Sequence, residues 1–365
     1  MHFDLPGVAA PFVIYAAILA LHVLSPARSV DGYVRHPETG APLRYRLNGL
    51  SVLFVAVFAW IVIGWMNWLP FDWLYHHRWG ALLGAFIIGM GFSAWMVLPA
   101  PSTGKSFVAD FFLGRVENPQ WLGGHVDAKM LLYLIGAVML ELNVLSFAAH
   151  HYMAYPEDPS PGVALYTVLL TWFICDYLTF EEVHLYTYDL FAERVGMKLG
   201  WGCLTFYPFF YAVGLWAVAD LPNPYGEGGH GRWLAIAAAL TFFTGWSLAR
   251  GANMQKYTFK RDPERAFLGI FRPEVVTDGE RELLCSGFWG VSRHVNYLGE
   301  ILMATGLALA LGHLGNPWPW LYPLYYVALL VPRERDDDRR CAEKYGELWT
   351  QYRERVPYRI VPFLY

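Results

Sequence analysis

The sequence predicts an all-α, polytopic integral membrane bundle of about nine to ten transmembrane helices. Of the 365 residues, 56% are hydrophobic and 16% charged, with a mean hydropathy of +0.29; that is the balance of a membrane protein. Apolar runs long enough to cross about 30 Å of hydrocarbon recur along the chain. Lys and Arg collect in alternate connections between those runs, as topology requires. A net charge of −4 without a basic arm offers no nucleic-acid partner. Cys175, Cys203, Cys285 and Cys341 form no C-x-x-C pair, so neither a disulfide framework nor a zinc site is indicated.

The runs fall at 8–25, 49–69, 79–98, 129–149, 162–180, 200–221, 232–249, 297–314 and 317–332. The opening MHFDLPGVAA lacks a basic n-region and a cleavage site, so its run reads as the first span and not as a removed signal peptide. Residues 25–47 carry Arg28, Arg35, Arg44 and Arg46, and residues 250–296 carry eight Lys or Arg from Arg250 to Arg293. Segments 150–162 and 313–316 carry none, and 67–78 and 222–231 have at most Arg78. Nine spans therefore put the basic connections and the C-terminus in the cytoplasm and the N-terminus outside. A tenth follows if one connection re-enters. Gly80, Gly84, Gly89 and Gly91 permit close helix packing, and Trp60, Trp65, Trp68, Trp73 and Trp79 suit the interface. Pro317 to Pro323 reads as a tight outer turn. No linker or repeat interrupts 1–365, which reads as one integral domain, with 1–160 as N-terminal scaffold helices and 161–365 as the catalytic half.

The chemistry gathers late. Leu283 to Glu300 (LLCSGFWGVSRHVNYLGE) and Arg333 to Gly346 (RERDDDRRCAEKYG) place dense polar groups on either side of one helical hairpin. Such groups at a membrane boundary are expensive unless used, and the two clusters suit a large, anionic, partly planar ligand; solvated basic loops are the plain alternative. Glu141 and Asn143 lie inside the fourth span. Glu182 and Asp189 are seven apart, hence on one helical face. His76–His77 and His150–His151 are adjacent pairs without an H-x-x-H-H box, so no di-iron centre, and no metal, is expected. The glycines of 80–91 form no G-x-G-x-x-G after a strand, so a dinucleotide would be held by something other than a Rossmann fold.

Four motifs carry a family resemblance. Gly251 to Lys260 (GANMQKYTFK) resembles A-N-x-Q-K-x-x-F-R. Leu283 to Glu300 resembles L-x-x-S-G-W-W-G-x-x-R-H-x-N-Y-x-G-D. Arg333 to Gly346 resembles H-R-E-x-R-D-x-x-x-C-x-x-K-Y-G, and Val356 to Tyr365 (VPYRIVPFLY) resembles V-P-Y-R-I-x-P-Y-x-Y. A fifth match, DFFLGRVENP from Asp110 to Pro119, resembles D-x-F-x-G-x-x-x-N-P. From about residue 100 onward the chain is similar to the sterol reductase family, as a short, bacterial-type member. Pro332 stands where the family has His, Asp336 where it has Arg, Lys260 for Arg, Glu300 for Asp and Cys203 for Asp.

The resemblance implies NADPH-dependent reduction of a sterol double bond within the bilayer, C14=C15 first, with C7=C8 or a side-chain bond as alternatives. An isolated C=C bond accepts hydride only if a proton reaches the other carbon with it or slightly earlier, in an apolar slot that excludes water. Tyr211, from the family's P-F-x-Y, is the expected proton donor, with Glu182 and Asp189 in reserve. Phosphates need several cations, planar Arg forks above all: Lys256, Arg261, Arg293, Arg333 and Arg335. Asn253 and Gln255 suit sugar or amide, and Trp289 and Tyr297 offer stacking faces. His294 and Asn296 belong to the same stretch, and Lys344, Tyr345 and Arg359 stand behind them. The expected partners are the sterol and membrane lipids, in a bacterial inner membrane or the endoplasmic reticulum. A membrane methyltransferase sharing R-H-x-N-Y-x-G and a non-catalytic sterol-binding protein are the rival readings.

Overall fold

The computed structural model describes residues 3–226 and 229–365. Met1 and His2, and residues 227 and 228 of the 222–231 connection, lie outside them. The chain forms two compact units, Met1–Asn223 and Pro224–Tyr365.

In the first unit, α1 (Leu5–Leu24) starts where the Asp4 carboxylate accepts the Gly7 N–H at 2.7 Å, with a proline in the first turn, a strong N-terminal signal. A hairpin of β1 (Arg28–Arg35) and β2 (Pro42–Leu47) follows, pairing Val30 with Tyr45. Next come α2 (Gly49–Trp65), α3 (Trp73–His76), α4 (Arg78–Val97) and α5 (Phe107–Leu113). The small ribbon β3 (Gln120–Trp121) with β4 (Val126–Asp127) leads into α6 (Ala128–Ala154). α6 is buried round most of its circumference, as an apolar helix at the centre of a bundle must be. α7 (Pro161–Thr179), α8 (Glu181–His184), α9 (Tyr188–Phe191) and α10 (Met197–Trp201) follow. A π turn at Gly202–Phe206 then joins α11 (Tyr207–Phe210) and α12 (Val213–Val218). α4 accepts α1 closely: a Cβ on Gly84 would stand 2.1 Å from the Val8 carbonyl oxygen, so glycine is required there. Gly91 does not share this role, since a Cβ on it would meet nothing within 4 Å.

The second unit contains α13 (Gly229–Arg261), a ribbon of β5 (Val275–Thr277) and β6 (Glu282–Leu284), α14 (Val295–Ala310), α15 (Leu321–Tyr345) and α16 (Glu347–Arg355). α13 and α14 touch backbone to backbone, and a Cβ on Gly299 would lie 2.5 Å from the Ala249 nitrogen, the small-residue packing that membrane helices favour.

Among the described residues six helical segments are long and apolar enough to cross a membrane: Leu5–Leu24, Arg78–Val97, Ala128–Ala154, Pro161–Thr179, Met197–Val218 and Gly231–Arg261. Gly49–Trp65 and Val295–Ala310 are shorter apolar helices. Two ends differ from the apolar runs. α13 continues to Arg261 and α15 runs through Pro332 to Tyr345, because the Gln, Lys, Arg, Glu and Ala that follow each run are good helix formers in water. Among the described residues, three two-stranded ribbons depart from an all-helical chain. The basic 25–47 connection is a hairpin because Tyr45 and Leu47 bury against Met130, Leu185 and Leu190.

Candidate active site

In the second unit the end of α13 and the stretch from Ser286 to Trp289 are locked together. Gln255 is 2% exposed; its Nε2 donates to the Ser286 carbonyl at 3.0 Å and its Oε1 accepts the Phe288 N–H at 2.9 Å. Gly287 has φ +61°, and a Cβ there would strike the Gln255 amide, so glycine serves both conformation and space. The Trp289 indole N–H donates to the Ala252 carbonyl at 2.8 Å, and Lys256 Nζ lies 5.2 Å from its ring centroid. Asn253 and Lys256, three apart on α13, share a face. Arg261, at its end, donates to the Tyr257 hydroxyl at 2.5 Å.

The RH pair is fastened to the tail. The Arg293 N–H donates to the Tyr358 carbonyl at 2.9 Å and the His294 N–H to that of Arg359 at 2.8 Å. Arg293 Nη1 donates to the Val356 and Pro357 carbonyls, each at 2.9 Å, and the side chain is buried. The His294 ring stacks on Tyr297 at 4.7 Å. Burial first, then Lys256, Arg293, Arg333 and Arg359, push His294 down to about 3, so its ring is neutral at pH 7. Among the described residues, His294 Nε2, Asn296 Oδ1 and Arg293 Nε are buried without a hydrogen-bond partner.

Residues that the sequence reading passed over brace this cluster. The Tyr297 hydroxyl donates to Asp337 at 3.0 Å. Glu334, fully buried, takes both oxygens to Arg359 Nη1 at 3.0 Å and accepts the Tyr365 hydroxyl at 3.3 Å. Asp338 accepts the Trp349 indole at 3.1 Å and lies 3.5 Å from Arg359 Nη2. Glu334 and Asp338 are one helical turn apart, a signal that the acid run contains an inward face. Arg335, Asp338, Arg339, Arg359 and Tyr365 line an open cleft. Arg333 lies on the same stretch of α15. Lys344 and Tyr345 stand at its far end, the ammonium 4.9 Å from the Tyr345 ring and that ring packed against the cluster of Cys285, Trp349, Tyr352 and Val356.

In the first unit, Tyr211 closes α11 just after the π turn. Its ring meets Tyr207 edge-on at 4.7 Å, and its carbonyl accepts the Tyr166 hydroxyl at 2.9 Å. Asn143 Nδ2 donates to the Pro208 carbonyl at 2.9 Å, and Glu141 accepts Thr171 Oγ1 at 2.8 Å, so both intramembrane polar residues face the bundle. Glu182 pairs with Arg28 at 2.6 Å. Glu182 and Asp189 do not share a helical face: α8 and α9 are separate single turns, parted where Thr187 Oγ1 donates to the His184 carbonyl and Thr187 turns extended. The neighbouring Glu181 is the buried acid; burial pushes it up to about 7 against the opposing Gly49 N–H and Arg28. The DFFLGRVENP stretch is a built corner, with Arg115 on Asp110 at 2.9 Å and Lys129 on Asn118 at 3.1 Å.

The model of the ergosterol biosynthesis ERG4/ERG24 family matches residues 7–365. The chain belongs to that family. It is 31% identical over 386 residues to a Delta(14)-sterol reductase of Arabidopsis thaliana, covering 99% of this chain and 97% of the relative. It is 33% identical over 362 residues to a Delta(14)-sterol reductase of Methylotuvimicrobium alcaliphilum, covering 95% and 80%. A Delta(14)-sterol reductase of Schizosaccharomyces pombe is 30% identical over 340 residues, covering 90% and 78%. With its apolar helices, this ERG4/ERG24 member is an integral membrane protein. The methyltransferase reading is not favoured, because the family match takes in residues 7–365 and not the R-H-x-N-Y-x-G fragment alone. The departures from the family motifs can now be placed. Cys203 is buried inside the π turn, Pro332 is absorbed within α15, and Asp336 forms an exposed pair with Arg339 at 2.9 Å.

Proposed function

We propose that the chain reduces a sterol carbon–carbon double bond, C14=C15 first, using NADPH bound by the second unit. The observation that carries the cofactor assignment is the buried, neutral His294 ringed by Lys256, Arg293, Arg333 and Arg359, beside acceptor and donor atoms that lack partners. Four cations beside one buried ring, two of them shared with Glu334 and Asp338, favour an anion. The Delta(14)-sterol names of the relatives support the substrate class.

Lys256, Arg333 and Arg335 would meet the phosphates, Asn253 and Asn296 the sugar or amide, and Trp289 a ring face. Gln255 and Arg293 act as positioning residues, since their polar atoms hold the Ser286–Trp289 turn and the tail. NADPH, when bound, supplies the hydride. This chain would supply the proton: the Tyr211 hydroxyl of the first unit is the donor to one alkene carbon, and a proton from water by way of a carboxylate restores the phenol. The membrane topology that goes with this reading has nine to ten spans and a cytoplasmic C-terminus.

Purified protein in detergent is incubated with NADPH and a panel of Δ14, Δ7 and side-chain unsaturated sterols, and products are read by mass spectrometry. A gain of two hydrogens on the Δ14 sterol, matched by NADPH oxidation, is expected. No reduced product from any member of the panel overturns the proposal and leaves the non-catalytic sterol-binding reading.

A further inference from the structure

Away from these residues, the first unit brings together one member of each adjacent histidine pair. His76 Nε2 lies 2.9 Å and His150 Nδ1 3.1 Å from the same oxygen, Asp72 Oδ2. The three donor atoms all lie within 4.8 Å of one another. Asp72 stands at the N-cap of α3 yet makes no capping hydrogen bond with its side chain; the carboxylate, in a residue 5% exposed, is turned to the two imidazoles instead.

The second nitrogen of His150 decides what this cluster needs. Nε2 lies 2.8 Å from Asp220 Oδ1, so both nitrogens of one ring face carboxylate oxygens. A neutral imidazole has one N–H and one lone pair. At the nitrogen that would carry the lone pair a cation must therefore stand, either a second ring proton or a metal ion. Asp220 is itself held by the Tyr75 hydroxyl, and the Tyr75 ring stacks on His150 at 3.7 Å. A ring that ligates through one nitrogen while donating the other N–H to a fixed carboxylate is the usual arrangement around protein-bound metals. Separations near 3 Å between donor atoms are those of neighbouring ligands about 2.0–2.1 Å from one ion. The Arg78 guanidinium is engaged with the Tyr75 carbonyl and ring.

We propose that Asp72, His76 and His150 form a site for one divalent transition-metal ion of the Zn2+ class, with Asp220 orienting His150. Two imidazoles and one carboxylate suit that borderline cation better than Mg2+ or Ca2+. The ion would tie α3 and its loop to the end of α6. The site is independent of the reductase reading and contains none of its residues.

Full-length protein without a polyhistidine tag is stripped with chelator and titrated with Zn2+ by calorimetry and with Co2+ by visible absorbance. One ion per chain, ligand-field bands for Co2+ and a raised thermal midpoint are expected. Asp220→Asn should weaken Zn2+ binding by roughly 10–100-fold, and His76→Gln and His150→Gln by at least as much. The His76 side chain is 57% exposed, so His76→Gln remains a fair test even if His150→Gln fails to fold. Absence of a stoichiometric ion in the wild type overturns the proposal and leaves a proton as the cation. Equal binding in His76→Gln overturns it by placing the ion elsewhere.

Discussion

Lys256 and Arg293 are both cations beside His294, but they differ in what else they hold. Lys256 is exposed and its ammonium meets the Trp289 face, so Lys256→Ala should weaken NADPH binding by about 1.5–3 kcal/mol and leave the thermal midpoint unchanged. Arg293→Ala also strips the hydrogen bonds from two tail carbonyls, so the midpoint should fall along with cofactor affinity. Cofactor titration by tryptophan quenching, run beside thermal melts, separates the two; unchanged affinity in both variants removes the phosphates from this cluster. For the proton, Tyr211→Phe keeps the ring against Tyr207 and removes only the hydroxyl. A rate loss of about 10²–10⁴-fold with both ligand affinities retained is expected for a general acid. Turnover within a few-fold of wild type moves the role to a carboxylate, and Glu182→Gln and Asp189→Asn then identify which.

At the scale of elements, the join between α13 and the Ser286–Trp289 turn rests on one side chain. Gln255→Leu keeps the bulk but leaves the Ser286 carbonyl and the Phe288 N–H without their partner, at a cost of about 1–3 kcal/mol for each buried group. Trp289 should then lose its fixed orientation and the KM for NADPH should rise, while Gln255→Glu, which keeps one acceptor for the Phe288 N–H, should recover part of the loss. An unchanged KM in Gln255→Leu shows that the turn does not present Trp289 to the cofactor. This join explains what could be read in advance. The motifs announced that Gln255 and Arg293 matter, because buried polar residues at a membrane boundary need a use. They did not say that each spends its polar atoms on backbone some 30 or 60 residues away, since that depends on which carbonyls the fold leaves unpaired. The β2 strand does alternate apolar with polar, Leu43, Tyr45 and Leu47 against Arg44 and Arg46, but five residues between two long apolar runs read first as a basic connection. Glu182 and Asp189 were misread because spacing reports a face only while the helix is continuous.

Over the whole molecule, the long apolar runs were legible, and the positions of α1, α4, α6 and α7 follow them within a few residues. What stayed hidden were contacts between runs, such as His76 with His150, which lie 74 positions apart in the chain. The alternation of basic and Lys/Arg-free connections makes a testable claim about sidedness. In a cysteine-free background, Glu157→Cys, exposed in the connection after α6, should react with a membrane-impermeant maleimide from outside intact cells, and Arg265→Cys only after the membrane is opened. Labelling of Glu157→Cys solely from the cytoplasmic side rules out the nine-span arrangement.

The grip of Arg293 on the tail also has a meaning in time. Its carbonyl partner at Val356 is 63 residues further along, and synthesis at roughly 5–20 residues per second makes that a wait of about 3–13 s. Through that interval the nascent protein carries a guanidinium in a half-made setting, wetted by solvent and open to whatever anion or chaperone passes. Arg293 therefore completes its hydrogen bonds only when nearly the whole chain has been made.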